Sequence, residues 1–235
     1  MPLKKALVTG GTRGIGFAIA EALLKAGYEV SVTGTDPSGK GPKGSSYFAC
    51  DFSDLSVMEK FAKEIAEMKW DVLVNNAGIN KVGPIPDYNP KDFETIQQVN
   101  LTAPFLLCQA VLPGMCQRRY GRIVNITSLF SVVSREGRFA YSASKSGLAG
   151  MTRALALEAA KDNVLINCVA PGFIDTDLSQ HVLGEKGMQE VALKIPMKRL
   201  AKPSEIAAWV RFLVSDENTY MTGQNIVIDG GYTCE

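Results

Sequence analysis

The sequence has almost no net charge: its 235 residues include 25 Lys and Arg against 24 Asp and Glu, which gives +1 at pH 7. It lacks the basic surface with which proteins bind nucleic acid or anionic membranes, so we expect neither partner. It also has a single histidine, His181, and five cysteines that form neither a CxxC pair nor a cluster with histidine. Neither a zinc site nor a disulfide framework is therefore indicated, and no metal is expected.

The N-terminal stretch MPLKKALVTGG lacks the long apolar run of a signal peptide, and no segment is expected to reach transmembrane length. Three cysteines lie in apolar stretches, which is typical of small buried side chains in a reducing compartment: Cys50, Cys108 and Cys168. These features predict a soluble, cytoplasmic protein.

Short apolar runs recur along the chain, and each is almost continuous rather than alternating. Such runs predict strands that are buried on both faces of a parallel sheet. Longer amphipathic segments lie between them without a low-complexity linker, which predicts one doubly wound α/β domain over residues 1–235. The predicted strands are KALVTG, YEVSVTG, SYFACD, WDVLVNNAG, GRIVNITS, VLINCVAPG and QNIVIDGG. The predicted helices cover residues 16–27, 56–68, 93–119, 141–160 and 203–215.

Two segments fall outside this alternation. Residues 36–46 are rich in Pro, Gly and Ser and predict a loop. Residues 173–200 follow the sixth predicted strand and are polar and loosely helical. Ligands of open α/β sheets bind at the carboxyl ends of the strands, so we interpret residues 173–200 as a substrate lid.

The first strand leads into TGGTRGIG, residues 9–16, and a helix follows at once. Glycines at 10, 14 and 16 allow a tight turn and a close approach to a pyrophosphate at the helix N-terminus, where free N–H groups favour anions. The spacing is G-x-x-x-G-x-G rather than G-x-G-x-x-G. The position after the first strand strengthens the prediction of a nucleotide site.

The stretch FAYSASKSG places Tyr141 and Lys145 four residues apart on one helix face. A free phenol has a pKa of about 10, and a nearby cation favours the phenolate, so we expect Lys145 to lower the pKa of Tyr141. Small neighbours leave room for a cofactor and a substrate. This arrangement predicts a proton-transfer site.

These motifs, in this order and spacing, resemble the short-chain dehydrogenase/reductases: TGGTRGIG, NNAG at 75–78, the serine of NITS, YSASK, and PG at 171–172. The resemblance covers essentially the whole chain. It implies a Rossmann-type fold with a seven-stranded, mainly parallel sheet, a nicotinamide cofactor and a catalytic tetrad of Asn100, Ser128, Tyr141 and Lys145. It also implies a homotetramer, or a homodimer, in which the apolar helices 93–119 and 141–160 pack against their copies.

The end of the second predicted strand favours NADP(H), with NAD(H) as the alternative. NAD-preferring relatives carry an aspartate where this sequence has Gly34, and NADP-preferring relatives carry a basic residue at the position of Arg13. Thr35 adds a hydroxyl donor. Asp36 is the contrary signal, although an Asp-Pro pair is typical of the start of a turn.

The resemblance implies further cofactor contacts at the glycine loop and at the ends of later strands. Asp51 corresponds to an acidic residue near the adenine, and Thr176 to a residue near the phosphates or the amide. The full set expected to bind the cofactor is Gly10, Thr12, Arg13, Gly14, Ile15, Gly16, Gly34, Thr35, Asp51, Asn75, Ala77, Gly78, Tyr141, Lys145, Pro171, Gly172, Ile174 and Thr176.

Within that family the chain is most similar to the 3-oxoacyl-[acyl-carrier-protein] reductases, through GFIDTD, RRYGRI and the ending MTGQNIVIDGGY. This implies NADPH-dependent reduction of a 3-oxoacyl thioester, with Arg118 or Arg119 as a contact for an acidic carrier protein. Arg135 or Arg138 is a candidate ligand of an acidic substrate. The alternatives are a sugar, polyol or keto-acid dehydrogenase and a cofactor-binding regulator without turnover.

Overall fold

The computed structural model describes residues 3–234, apart from the side chains of residues 177, 178 and 181–183. Seven parallel strands form one sheet in the order β3-β2-β1-β4-β5-β6-β7. The strands are β1 (Lys5–Val8), β2 (Glu29–Gly34), β3 (Ser46–Ala49), β4 (Val72–Asn75), β5 (Gly121–Ile126), β6 (Val164–Pro171) and β7 (Asn225–Ile228). All seven predicted strands are confirmed, and so is the doubly wound, Rossmann-type fold.

Seven helices cover the two faces of this sheet in the described part of the chain: α1 (Gly14–Lys25), α2 (Leu55–Ala66), α3 (Pro90–Gln97), α4 (Ala103–Gln117), α5 (Phe139–Ala159), α6 (Asp177–Lys194) and α7 (Pro203–Val214). Their starts carry local signals. Asp54 caps α2 by accepting hydrogen bonds from the backbone N–H groups of Ser56 and Val57, and Pro90 and Pro203 occupy first helical positions.

Successive residues of β1 explain why its run is continuously apolar. Leu7 lies in the core formed with α2, α4 and α5, whereas Ala6 and Val8 lie in the core formed with α1 and α7. Because side chains of a strand alternate between faces, a strand covered on both faces needs an apolar residue at every position. The other central strands are mainly apolar too, and their buried amides, such as those of Asn125 and Asn167, are hydrogen-bonded.

The predicted helix 93–119 is interrupted in the structure. A π-helical turn, Gln98–Thr102, joins α3 to α4, and the combined helix Pro90–Gln117 is long and apolar enough to cross a membrane by length and composition. The expectation that no segment has this length is therefore wrong. Its apolarity has another physical cause, because Leu107, Val111 and Met115 are buried against the sheet.

Candidate active site

The glycine loop lies between β1 and α1 and is held by a neighbouring strand end. Gly10 and Gly14 have φ of +64° and +57°, in the left-handed region that favours glycine. A Cβ on Gly16 would lie 2.3 Å from the Gly10 carbonyl oxygen and 2.4 Å from the Asn76 side-chain nitrogen. The Asn76 amide itself donates to the carbonyl oxygens of Thr9, at 2.9 Å, and Gly10, at 3.1 Å. The loop is thus closely packed at Gly16, where no side chain fits.

The first turn of α1 is open to an anion. It contains no acidic residue, and Arg13 at its N-cap makes no side-chain capping bond. The free N–H groups and the helix dipole therefore favour a negatively charged group at this point. Thr176, at the start of the predicted lid, approaches the same place, since a Cβ on Gly14 would lie 3.6 Å from its methyl carbon. These residues fit the pyrophosphate of a dinucleotide.

The end of β2 has no space for an acidic side chain at Gly34. A Cβ there would lie 2.7 Å from the Thr12 methyl carbon and 2.8 Å from the Tyr47 hydroxyl. Asp36 is exposed, and its carboxylate accepts hydrogen bonds from the Ser38 N–H and hydroxyl, both at 2.8 Å. These bonds lower the pKa of Asp36. Asp36 therefore caps a turn, as the Asp-Pro pair predicts.

One cationic and one hydroxyl side chain are exposed near the end of β2. These are the side chains of Arg13 and Thr35. Among the described residues, Arg13 forms no ion pair. Asp51, after β3, is exposed as well, and its carboxylate accepts from the Ser53 N–H and hydroxyl at 2.9 and 2.7 Å. Asp51 therefore also forms a local turn, ahead of α2.

Asn75, the last residue of β4, is buried inside the sheet layer. Its amide nitrogen donates to the Asn125 side-chain oxygen at 2.8 Å and to the Cys108 sulfur at 3.6 Å. Its side chain is thus engaged in the core, and Asn76 is the residue that contacts the glycine loop. The cofactor-binding set expected from the sequence omits Asn76; its place in the NNAG motif, between Asn75 and Ala77, is the signal that identifies it.

Gly78 brings the end of β4 against the catalytic candidates. A Cβ there would lie 3.3 Å from the Asn100 side-chain oxygen and 3.5 Å from the Lys145 ammonium nitrogen. At the end of β6, a Cβ on Gly172 would lie 2.7 Å from Asp229. Ile174 is buried in the core shared with α1 and α7, where Ile15 also packs, so its side chain faces the protein interior. Pro171 is the last, buried residue of β6.

Asn100 lies in the π-helical turn and is fully buried. Its side-chain oxygen accepts from the Ile79 N–H at 2.9 Å, and its nitrogen donates to the Ile79 carbonyl at 2.9 Å and the Ser144 hydroxyl at 3.0 Å. The wide turn therefore ties the segment after β4 to helix α5. This fixes the backbone beside Gly78 relative to the turn that carries Tyr141 and Lys145.

Lys145 is buried on the second turn of α5. Its ammonium donates to the carbonyl oxygen of Ile126, the last residue of β5, at 2.8 Å. It lies 5.6 Å from the centre of the Tyr141 ring, which confirms that the two side chains share one helix face. Burial disfavours the charged form and lowers the pKa of Lys145 to about 8.

The pKa of Tyr141 is raised, because burial of the phenol outweighs the opposing hydrogen bond with the Ser128 side chain and the charge of Arg138. The expectation that Lys145 lowers this pKa is therefore wrong for the protein chain alone, since the ammonium points to the Ile126 carbonyl. Ser128 is buried and lies two residues after the end of β5. Its hydroxyl also accepts a hydrogen bond from the Phe130 N–H at 3.2 Å. The structure thus brings Ser128, Tyr141 and Lys145 together.

An aromatic wall, formed by Phe130, Phe173 and Tyr232, lies beside Tyr141. Phe130 packs edge-on against Tyr141 and Phe173, with ring centres 6.4 and 6.3 Å apart, and Phe173 packs against Tyr232 at 5.2 Å. Sequence reasoning missed these three residues. Their signal is positional, because each follows the carboxyl end of a strand: β5, β6 and β7.

The two candidate arginines for a carrier protein lie at the opposite edge of the sheet. Arg118 donates to the Trp70 carbonyl at 2.6 Å and Arg119 to the Lys161 carbonyl at 3.2 Å, both at the amino ends of strands. These contacts place both side chains away from Ser128 and Tyr141, and a contact with a carrier protein stays a prediction for either residue. The reason is topological: they end α4, and a helix of this fold runs back to the edge where the next strand starts.

The predicted lid contains α6, which is interrupted at Gly184, where φ is +65°. Thr176 caps this helix by accepting from the Ser179 N–H at 3.2 Å, and Asp175 is exposed. The side chains of Asp177 and His181 lie outside the described residues. The end of the lid packs against the chain after β7, since the Met197 N–H donates to the Gly230 carbonyl at 3.3 Å.

Comparison with known proteins agrees with this geometry. A family model described as Enoyl-(Acyl carrier protein) reductase matches residues 10–233. The chain belongs to the short-chain dehydrogenase/reductase family. It is accordingly an NAD(P)-dependent oxidoreductase that acts on CH–OH and C=O groups, and the similar structures support NADP(H) as its cofactor.

Individual relatives are similar over almost their full length. The 3-oxoacyl-[acyl-carrier-protein] reductase FabG of Aquifex aeolicus is 42% identical over 242 residues, which cover 97% of this chain and 96% of that protein. The acetoacetyl-CoA reductase of Shinella zoogloeoides is 40% identical over 233 residues, which cover 96% of this chain and 97% of that protein. The structure of ElxO with NADP bound is 28% identical, with a TM-score of 0.91 and complete coverage of both chains.

Proposed function

We propose that this chain is an NADP(H)-dependent ketoreductase whose leading substrate class is the 3-oxoacyl thioesters. The observation that carries the proposal is the meeting of Ser128, Tyr141 and Lys145 at the carboxyl end of β5, next to the glycine loop. Two relatives whose names state reduction of a 3-oxoacyl thioester support the substrate class. A sugar, polyol or keto acid is the alternative substrate.

Tyr141 is assigned as the proton donor to the substrate oxygen. Its raised pKa keeps the phenol protonated at neutral pH, which is the form needed to give a proton to a ketone that becomes an alcohol. Ser128 is assigned to hold the same oxygen by a hydrogen bond as negative charge develops there. When bound, the nicotinamide supplies the hydride.

Lys145 and Asn100 are assigned supporting roles. With a pKa of about 8, Lys145 is largely charged at neutral pH, and its ammonium lies beside both Gly78 and the Tyr141 ring. It can therefore bind cofactor hydroxyls. Asn100 holds the Ile79 backbone and the Ser144 hydroxyl, so it positions the two segments between which the reaction takes place.

The preference for NADP(H) is assigned to Arg13 and Thr35 together with the missing acid at Gly34. A guanidinium forms strong, charge-assisted hydrogen bonds with a phosphate. We expect Arg13→Ala to weaken NADPH binding ~10-fold or more, by loss of bonds worth about 1.5–3 kcal/mol, and to leave NADH binding almost unchanged. Fluorescence titration with both cofactors measures this. Equal weakening of both would contradict the assignment.

Absorbance at 340 nm tests the reaction, with NADPH or NADH and acetoacetyl-CoA beside a panel of keto sugars and keto acids. We expect NADPH oxidation with acetoacetyl-CoA. Tyr141→Phe is expected to lose ~10²-fold or more of kcat while NADPH binding persists. Unchanged turnover in this variant would remove the acid role, and absence of turnover with every ketone would favour a regulator that binds cofactor without catalysis.

Assembly and location are proposed on separate grounds. Large apolar side chains are exposed on three helices: Phe105 on α4, Leu157 on α5 and Trp209 on α7, with Leu157 84% exposed. Apolar residues exposed on several helices are available for contacts between copies of the chain, as a homotetramer or a homodimer requires. Light scattering that shows a monomer at micromolar concentration would overturn this. We further propose a single cytoplasmic domain over residues 1–235 and an acyl-carrier protein as its partner.

A further inference from the structure

Arg138 is a buried arginine at the border of the active site. It is only 8% exposed, and it lies at the N-cap of α5, three residues before Tyr141. Removing a guanidinium from water is costly, so a buried arginine is normally paired with a carboxylate or fully hydrogen-bonded. Arg138 therefore calls for a partner.

The described residues, 3–234, do not supply that partner. The Arg138 Nε is buried without a hydrogen bond, and the guanidinium enters no ion pair or hydrogen bond with any of them. Burial and the neighbouring charge of Arg135 both lower the pKa of Arg138, so its surroundings disfavour the cation. The Nε of Arg122, another buried arginine, likewise lacks a partner, but its Nη1 donates to the carbonyl oxygens of Gly121 and Asn163 at 2.9 and 3.0 Å.

The position of the guanidinium points to the substrate. It lies 5.7 Å from the centre of the ring of Phe130, the member of the aromatic wall that packs against both Tyr141 and Phe173. A cation is held at an aromatic face by the negative potential of the ring. Its charge also acts on Tyr141, the group assigned to the substrate oxygen. An anion bound to Arg138 would therefore lie within reach of a ketone at Tyr141.

We propose that Arg138 binds a carboxylate, so that this enzyme also reduces small keto acids, a further activity beside the reduction of 3-oxoacyl thioesters. The inference rests on the proposed ketoreductase function but not on a thioester substrate. A carboxylate matches the planar fork of one guanidinium, with two parallel hydrogen bonds. A dianionic phosphate would require a second cation, and Arg135 is exposed to solvent.

Matched substrate pairs test the proposal. Acetoacetate, 2-oxobutyrate and 4-oxopentanoate place the carboxylate at three distances from the ketone, and each is compared with its methyl ester. The enzyme, with NADPH, is expected to reduce at least one acid with a kcat/KM ten-fold or more above that of its ester. Arg138→Gln is expected to lower kcat/KM for that acid ~10- to 100-fold beyond its effect on the ester, because a hydrogen bond to a charged group is lost.

Arg135→Gln is the control, since it removes a neighbouring positive charge that is exposed. It is expected to keep the acid preference, and Arg138→Lys is expected to keep part of it. A second readout is calorimetric binding of the preferred acid to the protein with NADP⁺, which Arg138→Gln should abolish. The melting temperature and NADPH affinity of Arg138→Gln report whether the variant is folded.

The outcomes separate this inference from the proposed function. The inference is supported if Arg138→Gln loses activity with the acid beyond its loss with the ester. It is also supported if only Arg138→Gln loses binding of the acid, even when no ketone is reduced and the ketoreductase function fails. Equal loss with acid and ester, or esters used as well as acids by the unaltered enzyme, overturns it. Reduction of acetoacetyl-CoA with no selective effect of Arg138 would leave the ketoreductase function standing and remove the carboxylate site.

Discussion

Replacing Lys145 by methionine is expected to stabilise the protein while it removes activity. The lysine is 3% exposed, and its pKa falls from 10.5 to about 8 on folding because burial disfavours the ammonium. At pH 7 this costs roughly 3 kcal/mol of folding free energy, because one pKa unit corresponds to about 1.4 kcal/mol. Methionine has a similar shape and carries no charge.

The hydrogen bond to the Ile126 carbonyl offsets part of this gain. Its loss costs about 1 kcal/mol, so Lys145→Met should unfold with a free energy about 2 kcal/mol higher than that of the unaltered protein at pH 7. Between pH 8 and pH 10.5 the unfolded lysine holds a proton that the folded one has lost. The stability of the unaltered protein therefore rises with pH in this window, and its deficit relative to the variant should shrink.

Urea unfolding at pH 7 and pH 10, followed by circular dichroism without cofactor, measures both effects. Lys60→Met, at an exposed position of α2, is the matched control and should change the free energy of unfolding by less than about 0.5 kcal/mol at either pH. A Lys145→Met variant that is less stable at pH 7, or a difference that stays constant with pH, would refute the reasoning.

Three further predictions follow from the packing. Gly16→Ala should abolish NADPH binding, because its Cβ would lie 2.3 Å from a carbonyl oxygen of the loop. Gly150→Ala, on an open face of α5, should bind NADPH normally and gain about 0.5–1 kcal/mol of stability. Fluorescence titration compares the binding of the two variants, and thermal melting compares their stability. Asn100→Ala should lower the free energy of unfolding by about 1–3 kcal/mol, since it leaves two backbone groups without their partner; a melting temperature equal to that of the unaltered protein would count against this. Thiol labelling of the folded protein at pH 8 should modify the exposed Cys234. Burial raises the pKa of three other cysteines to about 12, so these should react only after unfolding: Cys50, Cys108 and Cys168.

The strands and the main site were predictable because they depend on local pattern and on topology. A strand covered by helices on both faces is buried along its length, and this pattern is visible in the central strands β1, β4, β5 and β6. The glycine loop was predictable because Gly10 and Gly14 need positive φ and Gly16 has no room for a Cβ. Tyr141 and Lys145 share a face because they are one helical turn apart.

What sequence could not give depends on side-chain direction and burial. The polarity of Asn75 and Asn76 is the same, yet one amide enters the core and the other holds the loop. Arg118 and Arg138 are equally basic, but one ends a helix at the far edge of the sheet and the other is buried beside Tyr141. The pKa order of Tyr141 and Lys145 likewise follows from desolvation, which spacing alone does not contain.

The π-helical turn at Gln98–Thr102 also sets the rotational phase between two helices. It holds one residue more per turn than an α-helix, and each residue of an α-helix advances the chain by about 100°. Deleting a single residue there would rotate α4 by that angle, so that Leu107 and Met115 would leave the sheet. Insertions and deletions in this stretch should therefore be tolerated far less than in residues 36–46, and directed-evolution libraries of this enzyme should leave its length unchanged.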